Sequence, residues 1–184
     1  MGGASASTRF SPWVACGLVT IGVLARLLPH PPNLTPTIAL ALFAGAACTS
    51  RSTLLIPLAT MVFSDLLLGV HPVIPFTWGG LALAWAFGRW VGRQPRAGRI
   101  ALATLGSSTG FFLLSNFGVW LIGHGTEAYP KTLAGLAQCY VMALPFYRTA
   151  LIGDLVYSAA LFALWAYAPA PRPATTPVTS DRRT

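Results

Sequence analysis

The chain has 184 residues, 54% hydrophobic and 9% charged, with a mean hydropathy of +0.64. Soluble domains carry about 25% charged residues, so composition excludes an ordinary water-facing enzyme, a disordered chain and a nucleic-acid-binding domain of the usual sort. Twelve basic groups against four acids give +8, and that excess reads as membrane topology, because Lys and Arg gather on the cytoplasmic flanks of spans.

A helix needs about 20 mainly apolar residues to cross about 30 Å of hydrocarbon. Residues 1–12 read as a disordered cytoplasmic end. The first span is expected over 13–29. Arg9, this apolar run and the pair Val23 and Ala25 loosely fit a signal peptide, but Arg26 would follow the cut at once. The link 28–36 holds four prolines, which fix φ and stiffen it; Asn33 is expected to cap the next helix. That second span, 35–49, carries the small residues Ala39, Ala41, Ala44, Gly45, Ala46, Ala47 and Cys48, which permit close helix contact within the chain or with a partner. Further spans are expected over 53–70, 74–91, 100–122 and 149–168. An apolar stretch over 133–146, bounded by Lys131 and Arg148 and ending near Pro145, is short for a span and reads as an outer-surface or re-entrant helix. The Pro-, Thr- and Arg-rich residues 169–184 read as a disordered cytoplasmic tail. The expectation is an all-α integral membrane protein: six transmembrane helices in one domain, 13–168, plus one short helix, with both termini cytoplasmic.

The basic residues agree with that arrangement. Nine of the twelve (Arg9, Arg51, Arg89, Arg93, Arg96, Arg99, Arg172, Arg182 and Arg183) fall inside, and Arg26, Lys131 and Arg148 fall outside. A multi-pass protein of the cell's inner (plasma) membrane follows.

Polar residues that a bilayer would penalise carry the functional information. They collect at the outer side: His30, His71 and His124 in the loops, Asp65 and Asp154 near helix ends, Arg26, Asn33, Asn116, Glu127 and Lys131. Asp65 reads either as a ligand contact or as a carboxylate paired with Arg26 or Arg148. Asp154 reads first as a helix-start carboxylate favoured by the dipole, one turn and a half after Arg148. Cys139 reads as a small packing residue or a ligand contact. Arg26, His30, Asn33, Asp65, His71, Asn116 and Lys131 form the candidate binding set, with Trp78 and Trp120 as stacking surfaces. No metal-ligand spacing, CxxC, Walker, HExxH or GxSxG motif is present, so neither a metal, a cofactor nor an enzymatic activity is expected.

The blocks Arg26–Pro36, Ser64-Asp65-Leu66, Ser115–Trp120, Tyr129–Thr132, Cys139-Tyr140 and Pro145-Phe146 resemble an uncharacterised family of bacterial six-span membrane proteins, over about residues 26–162. More distantly, size, span number and lack of soluble parts resemble the S components of energy-coupling-factor vitamin transporters. That resemblance implies a vitamin-like, metal or cofactor-precursor ligand held near the outer surface, with import driven in trans by a transmembrane coupling protein and ATPases. The chain departs from it in lacking a clean AxxxA pattern in span one and a histidine at position two. Small-molecule binding and uptake is therefore the leading expectation, with the lipid bilayer and the ligand as partners and no nucleic acid. The alternative is a non-transporting scaffold or assembly partner that docks other helices through its Ala/Gly faces.

Overall fold

The computed structural model describes residues 12–48, 50–92, 95–123 and 129–167. The two ends expected to be disordered, apart from Pro12, lie outside these residues, as do His124 and Glu127. Six α-helices form: α1 Pro12–Leu27, α2 Thr37–Ala47, α3 Leu55–Leu68, α4 Ile74–Val91, α5 Ala97–Ile122 and α6 Leu133–Tyr167, with a 3-10 turn, Arg51–Leu54, leading into α3. No strand occurs among the described residues.

At the centre is α2. Pro36 precedes it, Cys48 leaves it in extended conformation, and every one of its 11 residues is buried. It touches each of the other five α-helices. Its length is about 16 Å at about 1.5 Å per residue, half of what a bilayer crossing needs. The expected span over 35–49 is thus corrected to a short core helix, which its all-round apolar sequence suits. Its small residues serve packing within the chain. Gly45 faces the Trp85 carbonyl, and Gly88 faces the Leu42 carbonyl, so closely that a Cβ at either would collide with backbone. On the other side Phe43 meets Phe162 and Trp165 edge-on, at 5.6 and 5.8 Å between centroids.

Among the described residues three helical segments are long and apolar enough to cross a membrane: Arg51–Leu68, Ala97–Ile122 and Leu133–Tyr167. α4 has the length, but three tryptophans, three glycines and Arg89 make it less apolar. Along the outer faces of the candidate spans the exposed side chains include Leu66, Leu67, Leu102, Val141, Val156 and Leu164. Such a surface is costly in water and suits hydrocarbon.

The third candidate span carries the main correction to the expected architecture. The separate short helix over 133–146 and the span over 149–168 are one helix of 35 residues, about 52 Å long. Pro145 withholds an N–H and crowds the preceding turn, yet packing against α5 keeps both halves in line. Cys139 Sγ donates to the Asn116 carbonyl at 3.5 Å, Tyr140 to the Leu113 carbonyl at 2.9 Å, and the Tyr147 and Thr109 hydroxyls meet at 2.7 Å. Arg148 is an exposed residue within that helix, not a boundary.

Candidate functional site

α5 and α6 pack side by side and run antiparallel. From Cys139 to Tyr147 the two helices pass each other residue for residue, since the α5 partners run from Asn116 to Thr109. Farther along, Asp154 of α6 has Ser108 of α5 as its neighbour. A cavity of about 330 Å³ lies there, at the lower end of the range of small-molecule sites. From α5 it is lined by Ser108, Phe111, Phe112, Ser115 and Asn116, and from α6 by Ala143, Phe146, Tyr147, Ala150 and Asp154. Both series step by three and four, so each is a single helix face.

The remaining wall gathers residues distant in sequence. Arg26 comes from the end of α1, Asn33 and Thr35 from the proline-rich link, Thr37 and Ile38 from α2, Met61 from α3, and His71 and Thr77 from the start of α4. Asn33 does not cap α2, which begins after Pro36 with no side-chain cap. Instead it takes a left-handed φ of 62°, a conformation Asn tolerates better than most residues. Two larger hollows, one between α1 and α3 and one between the start of α5 and the end of α6, are lined by no acid and no base.

Charge is placed unevenly around the cavity. Arg26 Nη2 donates to Asp65 Oδ1 at 2.9 Å, and Trp78 Nε1 approaches Asp65 Oδ2 at 3.4 Å. Asp65 thereby ties α1 and α4 to α3 without lining the cavity, and of its two alternatives the Arg26 pair is the one observed. Arg26 Nε is buried with no partner. Asp154 is 3% exposed, lies more than five turns into α6, and has Ser108 as its hydrogen-bonding neighbour. The expectation that Asp154 opens a helix is corrected, because the helix it was to open is already under way. Among the described residues the only ion pair is Arg26–Asp65. Asn116 Nδ2 donates to the Phe112 carbonyl at 2.9 Å, which fixes the side chain on the cavity face.

Of the nine expected site residues, Arg26, Asn33, His71 and Asn116 line the cavity, and Asp65 and Trp78 stand behind Arg26. Trp120 and Lys131 are brought together elsewhere. Lys131 Nζ donates to the Trp120 and Leu121 carbonyls and lies 5.5 Å from the Trp120 ring, while Trp120 Nε1 reaches the Pro130 carbonyl at 2.9 Å. They close the end of α5, where a cation satisfies terminal carbonyls. His30 is exposed, its Nδ1 2.6 Å from the Leu28 carbonyl. Both groups are placed outside the cavity by local hydrogen bonding. The residues not foreseen in the site, Ser108, Phe111, Phe112 and Ser115 on α5 and Tyr147 and Asp154 on α6, share the three-and-four spacing of one face on each helix. Cys139 is buried in packing. Among the described residues, no group of three His, Cys, Asp or Glu is placed to hold a metal ion.

No curated protein and no solved structure matches this chain. A family model described as a family of unknown function, DUF6580, matches residues 6–176, and the chain belongs to that family.

Proposed function

We propose that this protein binds a small molecule in the α5–α6 cavity and serves its uptake across the inner membrane, in the manner of an energy-coupling-factor S component. The observation that carries the proposal is convergence. Arg26, Asn33, His71 and Asn116, from four separate elements, line one cavity of ligand size. A bilayer tolerates buried polar side chains only where they meet each other, water or a ligand. α2, shielded from lipid inside the bundle, returns the chain between α1 and α3 without itself spanning the bilayer, and α3 to α6 then cross alternately, leaving both termini cytoplasmic. The cavity belongs to the end where Arg26 and Asn116 lie, opposite the arginine-rich 89–99 connection, which places its mouth outside by the positive-inside rule. The protein works alone or with a shared energising module, which the S-component resemblance implies would be a coupling protein and ATPases in trans. The small-residue face of α2 is occupied within the chain, which removes the main surface a scaffold would use.

Native mass spectrometry of the detergent-purified protein tests the proposal. A reproducible non-lipid adduct is expected, lost in Asn116→Ala with folded yield unchanged. A bare chain that co-purifies with a stoichiometric helical partner, and whose Asn116→Ala variant behaves identically, would favour a scaffold instead.

A further inference from the structure

The hollow between α1 and α3 measures about 1140 Å³ and shares no lining residue with the α5–α6 cavity. Its α1 wall is Ala15, Cys16, Val19, Thr20, Val23 and Leu24, and its α3 wall includes Leu55, Ala59, Phe63 and Leu67. Both series keep to steps of one, three or four, so each wall is one stripe along a helix. Apart from the Cys16 thiol and the Thr20 hydroxyl these side chains are hydrocarbon, and Leu55, Phe63 and Leu67 are exposed. From Leu55 to Leu67 the channel runs about 18 Å, at about 1.5 Å per residue. That is close to the depth of one leaflet, about 15 Å, and short for a partner helix that crosses the whole of about 30 Å.

The two ends of the channel differ. Near Leu24 and Leu67 the Arg26–Asp65 pair joins α1 to α3. At the other end the lining turns to the hydroxyls of Ser50, Ser52 and Thr53. Thr53 Oγ1 accepts from Trp85 Nε1 at 3.0 Å. The Ser50 and Ser52 hydroxyls meet at 2.7 Å, a contact that uses one hydroxyl hydrogen and leaves the other to donate outward. Arg51, between these serines, is exposed. From α4, Arg89 Nη1 donates at 2.8 Å to the carbonyl of Cys48, itself a lining residue. Among the described residues neither arginine is paired with a carboxylate. A hydrocarbon channel of leaflet depth that ends in hydroxyls and positive charge complements an acyl chain that ends in an anionic headgroup.

We propose that this hollow is a lipid site, in which an acyl chain of an anionic phospholipid lies between α1 and α3 with its phosphate at Ser50, Arg51 and Ser52. By the topology proposed above Arg51 faces the cytoplasm, so the lipid belongs to the inner leaflet. The site is separate from the α5–α6 cavity, and its test does not bear on uptake.

Photolabelling of the full chain tests the proposal. The protein is reconstituted in phosphatidylcholine vesicles holding a small share of phosphatidylglycerol that carries a diazirine on one acyl chain, and adducts are mapped after irradiation. Adducts are expected to concentrate on residues 15–24 and 55–67, at least about fivefold above the exposed stripes of α5 and α6, the effect of one arginine beside an anionic lipid. Unlabelled phosphatidylglycerol should abolish that excess, and phosphatidylethanolamine at the same mole fraction should not. In Arg51→Gln, a change at an exposed side chain, most of the excess should disappear. Mapping and competition use the unaltered chain, so the test stays decisive even where the variant fails to fold. Adducts spread evenly over all exposed apolar faces overturn the proposal, as does an excess that phosphatidylethanolamine competes equally well or that Arg51→Gln leaves undiminished. A groove that stays unlabelled while the outer faces react overturns it in favour of another helix seated there.

Discussion

Between α2 and α4 the backbones meet with glycine on both sides and nothing in between, whereas between α5 and α6 the side chains Ser108, Ser115, Asn116 and Asp154 surround an open cavity. Both contacts join apolar helices in one bundle. At the first, Gly45 and Gly88 let backbone approach backbone, so dispersion contacts are made along the interface. At the second, the polar and aromatic side chains of both helices line a cavity of about 330 Å³. Rigidity is built on one side of α2 and a receptive space on the other. A membrane bundle without a large soluble part needs both, because the tight half fixes the helices that carry the polar walls.

The widest separation between the two regions is expected from Gly88→Ala. Its methyl would enter the Leu42 carbonyl, and overpacking against backbone should cost about 3 kcal/mol or more, read as a large fall in melting temperature in detergent. Next comes Asp65→Asn, which leaves Arg26 without its carboxylate at a site only 21% exposed. A loss of about 2–3 kcal/mol is expected, and the double variant with Arg26→Gln should recover most of it. If the double variant is no better than the single, the pair is not what holds α1 to α3. Tyr147→Phe removes the 2.7 Å contact with Thr109 between α5 and α6, and should cost about 1 kcal/mol. Smallest is Gly17→Ala, where a new Cβ meets nothing within 4 Å. It should be neutral or stabilising by up to about 1 kcal/mol through helix propensity. Equal effects of Gly17→Ala and Gly88→Ala would dissolve the contrast.

Much of the helix plan is legible from hydropathy alone. The expected limits of α4, 74–91, coincide with the observed ones, and those of α1 and α5 lie within a few residues. Two features mislead. Pro145 reads as a terminator because the loss of one N–H is local and visible, while the α5 contacts that override it are tertiary and invisible in a single chain. That one error also displaces Asp154, which as a helix-start residue has no reason to face Tyr147. On one continuous helix, Ala143, Tyr147, Ala150 and Asp154 are neighbours on a face. Composition likewise marks α2 as apolar without revealing that 11 residues end it on both sides. For the site, depth is legible and azimuth is not. Arg26, Asn33, His71 and Asn116 are expected at one level and are found around one cavity, but Trp120 and Lys131, at a comparable level, turn to the end of α5.

The enclosure of α2 has a consequence for how the protein is made. Four of the five helices that cover it, α3 to α6, emerge from the ribosome after it. While they are still being synthesised, α2 is a greasy segment too short to anchor itself, without the neighbours that shield it. Its stability is therefore granted by chain made after it, from Leu55 onward. Nascent chains that stop before α6 would present an incompletely covered apolar helix to the quality-control machinery, so the core is sealed only once α6 is made.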